Sequence, residues 1–303
     1  VSPHATERVI AGTAAVHTPY QVFLWPGCGG SIIAPEWVLT AAHCIQNAGI
    51  AAQPLWVRAN TTKRETNATR GPGIVRYVKQ IYVHPEWAGV ISLSEGVDIA
   101  LLFLESPLPL GPYGPTAIPL ATARPSAGTA LRITGWGSTT AYAFNEASPP
   151  FSLPDDLQEA TVHVISDATA ERYNARKPQV PTCYPKDTTE RSVYNYEAFV
   201  ITGSNGSYPQ PDVCQGDSGG PIVLPSASSP VGYEQVGLVS HARGCGDAYI
   251  PQYYTSVPYW GQWINDTVTN PPNETVCGGL TCHHTAECVA GKCVCRAGYV
   301  KSV

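Results

Sequence analysis

Most of the chain from Gly29 to His241 consists of short apolar runs that end at glycine, proline or polar residues. Runs of this length, bounded by turn-forming residues, are typical of β-strands. The pattern therefore predicts an all-β fold of many short strands. The main runs are GGSIIAPEWVLTAA, GIVRYVKQIYVH, DIALLFL, ALRITGWG, EATVHVIS, GPIVL and EQVGLVSH.

One stretch near residue 260 follows a helical pattern instead. Val257, Trp260, Ile264 and Val268 are spaced three or four residues apart, which places them on one face of a helix. This apolar stripe predicts a helix that packs on the strands.

The sequence CQGDSGGP, from Cys214 to Pro221, places glycines on both sides of Asp217 and Ser218. Glycine can take backbone conformations that other residues avoid, so this loop can turn several N–H groups toward one point beside the Ser218 hydroxyl. Such donors stabilise the oxygen anion formed when a hydroxyl attacks a carbonyl, by roughly 3 kcal/mol each. Ser218 is therefore the candidate nucleophile. The alternative is an ordinary Gly/Ser/Asp turn between two strands.

A serine nucleophile needs a general base. One segment of the sequence supplies a histidine that could be this base, and another supplies a carboxylate that could orient it. His43 lies in VLTAAHC beside Cys44, and Asp98 opens the apolar segment DIALLFL, where a buried carboxylate requires a partner. Taken alone, each is an ordinary residue at a strand end. In the order His43, Asp98, Ser218 they match one known arrangement of the catalytic triad.

The chain resembles the secreted serine proteases of the chymotrypsin and trypsin family from about Val9 to Val268. The resemblance rests on CGGSIIAPEWVLTAAHC, DIALL, ITGWGS, CQGDSGGP and LVSH, which occur in the family's order. It implies an all-β domain of two antiparallel β-barrels with a C-terminal helix.

The resemblance also implies a role for each matching residue. Ser218 is the nucleophile, His43 the general base and then acid, and Asp98 the group that orients His43. The backbone N–H groups of Gly216 and Ser218 form the oxyanion hole, and Ser240 braces Asp98.

Residues 8–12, RVIAG, resemble the family's activation site. Cleavage after Arg8 would free the amino group of Val9, which in the family inserts beside the residue matched here by Asp217. The alternative is a solvated N-terminal arm. Residues 1–8 contain no cysteine to tether them, and so short a polar peptide would dissociate once cut. We therefore expect an activation segment at 1–8, an intact bond after Arg8 and a zymogen.

By the same resemblance, Asp212 is the floor of the substrate pocket, as in members that cut after arginine or lysine, because a buried carboxylate in an apolar slot attracts a cation. Ser240, Ala242 and Gln252 occupy wall positions. Ala242 and Gln252 depart from the pattern, since trypsin-like enzymes have glycine at both. Gln252 could fill the slot or hydrogen-bond Asp212, so cleavage after arginine or lysine and a structurally neutralised Asp212 both stay open.

After a linker at 269–276, residues 277–303 resemble the first part of an EGF-like module, with five of the ten cysteines. A unit of this size depends on disulfides. Disulfide-bonded cysteines are therefore favoured over a zinc site that includes His283 and His284. The family patterns imply the pairs Cys28–Cys44, Cys214–Cys245, Cys277–Cys288 and Cys282–Cys293. Cys183 and Cys295 have no partner in these patterns. The alternatives are a Cys183–Cys295 bridge between the two units, a Cys183–Cys277 bridge with slightly altered pairing, or a free thiol at each.

The compartment and the partners follow from composition. Cysteine-rich chains with several N-glycosylation sequons are typical of secreted glycoproteins. A net charge of -5 and a pI near 5.9 argue against nucleic acid and anionic membranes, and no apolar run is long enough to span a membrane. Glu65 is the only acid between Asn60 and Glu86, so no calcium loop is evident and we expect neither metal nor cofactor. The sequons are at Asn60, Asn67, Asn205, Asn265 and Asn273.

Two functions remain open from the sequence. The first is a secreted serine endopeptidase that acts on proteins or peptides through an acyl-enzyme. The second is a non-catalytic protease homologue that serves as an extracellular binding or matrix component through its surface and the EGF-like module. The intact triad favours the first.

Overall fold

The computed structural model describes two antiparallel sheets, a C-terminal helix on their surface and several short elements. The described residues are 10, 12–16, 18–46, 54–142, 150, 152–175, 194–203, 210–242, 244–247 and 250–271, and the strands after residue 271.

The first sheet is a closed antiparallel barrel of six strands. They are β2 (Gln21–Leu24), β3 (Cys28–Ala34), β4 (Trp37–Thr40), β5 (Trp56–Ala59), β6 (Ile74–Val83) and β7 (Ala100–Leu104). Their order around the barrel is β2-β3-β4-β7-β6-β5. Both faces of its strands are covered, because Leu101 and Leu102, which point to opposite sides of β7, are fully buried, as is Val38.

The second sheet has seven strands. They are β1 (Thr13–Ala14), β8 (Ala130–Gly135), β9 (Gln158–His163), β10 (Phe199–Thr202), β11 (Pro221–Pro225), β12 (Tyr233–His241) and β13 (Gln252–Ser256). Their order is β1-β9-β8-β11-β12-β13-β10. An isolated antiparallel bridge between Val164 and Thr202 joins the two sides, so the sheet curls into a second barrel-like structure.

Buried polar side chains join the two sheets. Ser31 Oγ donates to Gln235 Oε1 at 2.6 Å, and Thr134 Oγ1 donates to Gln21 Oε1 at 2.7 Å. Every apolar run named above overlaps at least one strand. Together with the two sheets, this confirms the prediction of an all-β fold with two barrel-like sheets.

The predicted C-terminal helix α3 (Val257–Thr269) is also confirmed. Ser256 caps its first turn by accepting a hydrogen bond from the Tyr259 N–H. Val257 and Ile264 are buried in one apolar cluster with residues of the first barrel, so the helix that follows the second sheet packs against the first.

The sequence pattern did not predict helix α2 (Asp167–Ala175). Ala170 is the buried apolar residue of this helix, and the segment therefore lacks the apolar stripe that marks a helix. The sequence feature that could have indicated this helix is Ser166 at the N-cap position. In the structure, Ser166 Oγ accepts a hydrogen bond from the Thr169 N–H at 3.2 Å. The structure also contains a short helix α1 (His43–Gln46) and the 3₁₀ helices Gly89–Glu95 and Tyr196–Ala198.

After α3 the structure describes two hairpins. One pairs β14 (Thr275–Cys277) with β15 (Leu280–Cys282), and the other pairs β16 (Ala286–Val289) with β17 (Lys292–Cys295). The first hairpin begins inside the segment expected to be a linker. In the described part of the chain, no helix is long and apolar enough to cross a membrane.

Candidate active site

His43 and Asp98 meet at one edge of the first barrel. Strand β4 delivers His43 to the start of α1, and β7 begins just after Asp98. His43 Nδ1 donates to Asp98 Oδ2 at 2.7 Å, and the His43 backbone N–H donates to Oδ1 at 2.9 Å. Two contacts to one carboxylate fix both the ring and the backbone of His43.

Ser240, in β12 of the second sheet, reaches the same carboxylate. Its Oγ donates to Asp98 Oδ2 at 2.7 Å and lies 3.1 Å from Nδ1 of His241. Since the Ser240 proton goes to Asp98, His241 Nδ1 is the donor of the second hydrogen bond. The chain of contacts therefore runs from His241 through Ser240 and Asp98 to His43.

The charges in this group stabilise each other. Burial disfavours the imidazolium form of His43, but the charge and hydrogen bond of Asp98 outweigh it, so the pKa of His43 is raised. Burial would raise the pKa of Asp98, yet His43 and the hydrogen bonds lower it. Asp98 therefore stays ionised while His43 can accept a proton, as a general base must.

Glycines shape the loop that carries Ser218. Gly216 and Gly219 have φ values of 102° and 74°, in the left-handed region that favours glycine. A Cβ on Gly219 would overlap Thr40 Oγ1, so this position also has no room for a side chain. The loop therefore packs directly on the first barrel.

A backbone hydrogen bond fixes Ser218 against β3. The Gly29 N–H donates to the Ser218 carbonyl at 2.8 Å, and the disulfide Cys28–Cys44 joins the neighbours of Gly29 and His43. No hydrogen bond joins Ser218 Oγ to His43 among the described residues, and such bonds often tighten only when substrate binds. Gly29 was not predicted as a site residue, and the sequence signal for it was the CGG run that opens β3.

The N–H groups assigned to the oxyanion hole are available. In the part of the chain that the structure describes, neither the Gly216 N–H nor the Ser218 N–H donates to another group. Both belong to the loop that exposes Ser218 to the pocket described below. Free donors beside a hydroxyl are what an oxyanion requires.

Asp217 is buried beneath this loop and is 1 % exposed. It accepts hydrogen bonds from the Gly137 N–H at 2.7 Å and the Cys214 N–H at 2.9 Å. Burial raises its pKa to about 6. A Cβ on Gly135 would overlap Asp217 Oδ1, so the GWG run makes room for the carboxylate. This contact was not predicted from the sequence.

The activation residues Arg8 and Val9 lie outside the described residues. Ile10, the next residue, is buried against the Cys214–Cys245 disulfide and forms an antiparallel bridge with Asp212. The chain just after the expected cleavage site therefore lies beside the loop that carries Asp217.

A pocket of about 210 Å³ opens beside Ser218. Its apolar walls include Val213, Val239 and Ala242, and Gln252 lines it as well. Asp212, expected at the floor, is not among the lining residues and is 1 % exposed.

Asp212 is saturated by donors from the protein. Oδ1 accepts from the Val213 N–H at 2.8 Å, and Oδ2 accepts from the Gly246 N–H at 2.7 Å and from Gln252 Nε2 at 2.6 Å. Burial raises the pKa of Asp212 well above its usual value, although these hydrogen bonds oppose the shift. Gln252 thus separates Asp212 from the pocket.

The two disulfides that the resemblance implies for the first unit, Cys28–Cys44 and Cys214–Cys245, are present. Cys28, Cys44 and His43 are close enough to hold a metal ion, but sulfurs in a disulfide are poor ligands because thiolates bind metals. The other cysteines have side chains outside the described residues, so the pairs Cys277–Cys288 and Cys282–Cys293 and the partners of Cys183 and Cys295 stay predictions.

Three of the sequons lie on the described surface. Asn60, Asn67 and Asn265 are exposed. Asn67 Oδ1 accepts from both the backbone N–H and the hydroxyl of Thr69, each at 2.9 Å. Asn205 and Asn273 lie outside the described residues.

Comparisons with known proteins agree with this geometry. A family model described as Trypsin matches residues 10–264. Tryptase from Mus musculus is 31% identical over 287 residues, with 88% of this chain and 91% of the relative covered. Trypsin Blo t 3 from Blomia tropicalis is 34% identical over 268 residues, with 86% of each covered. Neuropsin, a serine protease of mouse brain, matches with a TM-score of 0.63 and 28% identity over 85% of this chain and 98% of that structure.

Proposed function

Because the chain belongs to the trypsin family of serine proteases, we propose that it is an endopeptidase that cuts proteins through Ser218, His43 and Asp98. The observation that carries this proposal is the double hydrogen bond between His43 and Asp98, supported by Ser240 from the other sheet. A protein that only binds does not need a histidine held in this way.

The reaction proceeds through an acyl-enzyme. His43 Nε2 takes the Ser218 proton as Oγ attacks the peptide carbonyl, and the Gly216 and Ser218 N–H groups hold the oxygen anion. The imidazolium, stabilised by Asp98, then protonates the leaving amine. Water attacks the ester, His43 takes its proton, and Ser218 Oγ leaves with that proton to restore the enzyme.

A non-catalytic role is not favoured. It would rest on the altered pocket walls and on an EGF-like module at 277–303, for which the described strands after residue 271 supply only two hairpins. We retain the module as part of the proposal, as a docking or spacing unit for an extracellular partner.

Activation by cleavage after Arg8 is part of the proposal. Asp217 is buried with two backbone donors, and a carboxylate in this position gains from a cation. The freed Val9 amino group would supply that cation, since Ile10 is already buried beside Cys214. Until then the chain is a zymogen. Secretion and glycosylation fit the disulfides and the exposed sequons.

Cleavage after arginine or lysine stays a prediction from Asp212. The contacts of this carboxylate count against it, because its oxygens are occupied and Gln252 lies between it and the pocket.

A fluorophosphonate probe, which reacts with activated serines, tests the proposed activity. After treatment with an activating protease, we expect labelling of Ser218 and hydrolysis of a denatured protein substrate. Both should disappear in Ser218→Ala and in His43→Ala. The matched controls are Ser228→Ala and His163→Ala, which change exposed loop and strand positions and should leave labelling intact. An unlabelled chain that has been cut after Arg8 would refute the proposal.

A further inference from the structure

The pocket beside Ser218 has no acid on its described walls. Its polar side chains belong to Gln215, Ser218, Ser240, His241 and Gln252, and none of the described lining residues carries a carboxylate. The carboxylate expected at its floor, that of residue 212, lies behind the glutamine at 252.

Gln252 has one end of its amide occupied and the other open. Nε2 donates to Asp212 Oδ2 at 2.6 Å, which turns Oε1 away from that carboxylate. Oε1 is buried and has no hydrogen-bond partner among the described residues. The residue itself is 1 % exposed and lines the pocket, so an unpaired acceptor lies in the wall of the space where a substrate side chain enters.

We propose that Gln252 makes this pocket select an uncharged side chain with an N–H donor at P1, the substrate residue whose carbonyl Ser218 attacks. The inference rests on the proposed peptidase function. A buried polar atom without a partner is costly, and a substrate N–H on Oε1 removes that cost. Glutamine, asparagine, histidine and tryptophan belong to this substrate class.

Other side chains fit the same pocket less well. An aliphatic P1 residue leaves Oε1 unpaired, and a carboxylate places a second acceptor against it. Lysine and arginine bring a charge with several donors, which would lose its hydration for one neutral acceptor. The donors on Asp212 and its raised pKa weaken the field that would otherwise attract a cation.

The direct test uses the wild-type chain after cleavage at Arg8 and peptides that differ only at P1. We expect kcat/KM for glutamine to exceed that for methionine, which has similar length, by about fivefold to a hundredfold. Arginine and lysine peptides should be cut more slowly than glutamine peptides. Faster cleavage after arginine or lysine, or equal cleavage after methionine and glutamine, would overturn the inference.

Two variants assign the preference to Gln252. Gln252→Glu replaces the donating NH₂ by oxygen and makes the pocket floor acidic, so preference should move to lysine and arginine. Gln252→Gly should do the same by uncovering Asp212. Gln262→Glu makes the same chemical change on the exposed side of α3 and should leave the preference unchanged.

The outcomes separate this inference from the proposed function. A cut chain that neither reacts with the fluorophosphonate probe nor hydrolyses any peptide refutes the peptidase itself. A chain whose Ser218 is labelled, but which prefers another P1 class or cuts none of the peptides, refutes only the role of Gln252. The wild-type series decides this even where a Gln252 variant does not fold.

Discussion

Replacement of Asp98 by asparagine tests the assignment of the catalytic base. The carboxylate is fully buried and accepts from three donors, two on Oδ2 and one on Oδ1. Asparagine keeps the size but has one acceptor end and one donor end. In either orientation its NH₂ group faces a group that now donates to Asp98.

The two orientations have different consequences. If the asparagine NH₂ takes the place of Oδ1, this NH₂ group faces the backbone N–H of His43. Two donors are then left without an acceptor, which reduces stability by about 1 to 3 kcal/mol. With NH₂ in place of Oδ2, it donates to His43 Nδ1 and places the ring proton on Nε2, so His43 cannot accept the Ser218 proton. In Ser-His-Asp triads this change lowers kcat by about 10⁴.

The assay is kcat/KM as a function of pH for the cut enzyme. In the wild type, activity should rise as pH rises through the raised pKa of His43. In Asp98→Asn the charge that raises this pKa is gone, so the remaining activity should rise at lower pH. Asp155→Asn, an exposed site, is the control. A loss of less than about tenfold with an unmoved pH profile would refute the assignment.

Three further predictions concern stability. In the uncut chain, the raised pKa of Asp217, about 6, means that the contribution of Asp217 to stability falls by up to about 3 kcal/mol as pH rises from its unfolded pKa to 6. Asp217→Asn should remove this contribution and reduce the slope in denaturant titrations, whereas Asp266→Asn should leave the slope as it is. The part of the slope that comes from the raised pKa of Asp212 remains in both variants. Changing Cys28 and Cys44 to alanine should lower the free energy of unfolding by about 3 kcal/mol, because the disulfide closes a loop with a sequence separation of 16 and thereby restricts the unfolded chain. An unchanged denaturation midpoint would contradict this. Ser240→Ala removes one donor from Asp98 and should reduce stability by about 1.5 to 3 kcal/mol, with a smaller loss of kcat than Asp98→Asn, and an equal loss would argue against a purely supporting role.

The fold could be predicted to the extent that its signals are local. The strands were recognisable as apolar runs between turn residues, and α3 was recognisable through the stripe at Val257 and Ile264. Helix α2 was not, because Ala170 is its buried apolar residue and its cap at Ser166 is a weak signal by itself. The closing bridge between Val164 and Thr202 joins distant parts of the chain and has no local pattern.

The candidate site divides in the same way. The residue types of the triad were readable because CQGDSGGP needs glycines where the backbone is strained or crowded, as at Gly219, and because a carboxylate at the start of a buried strand requires a partner. The contacts that other elements make with the triad residues were harder to predict from the sequence. The Gly29 N–H fixes Ser218 through a backbone contact, which any residue except proline could make.

The sequence by itself determined which groups can react: a serine in a glycine loop, a histidine and a buried acid, each next to strands that are recognisable as apolar runs. Only the tertiary structure decided what surrounds them. Ser240 meets Asp98 from a strand 142 residues away, and Gln252 covers Asp212 across 40 residues. Burial and hydrogen-bond partners depend on which distant strands pack together, so the nature of the pocket floor is a property of the folded chain.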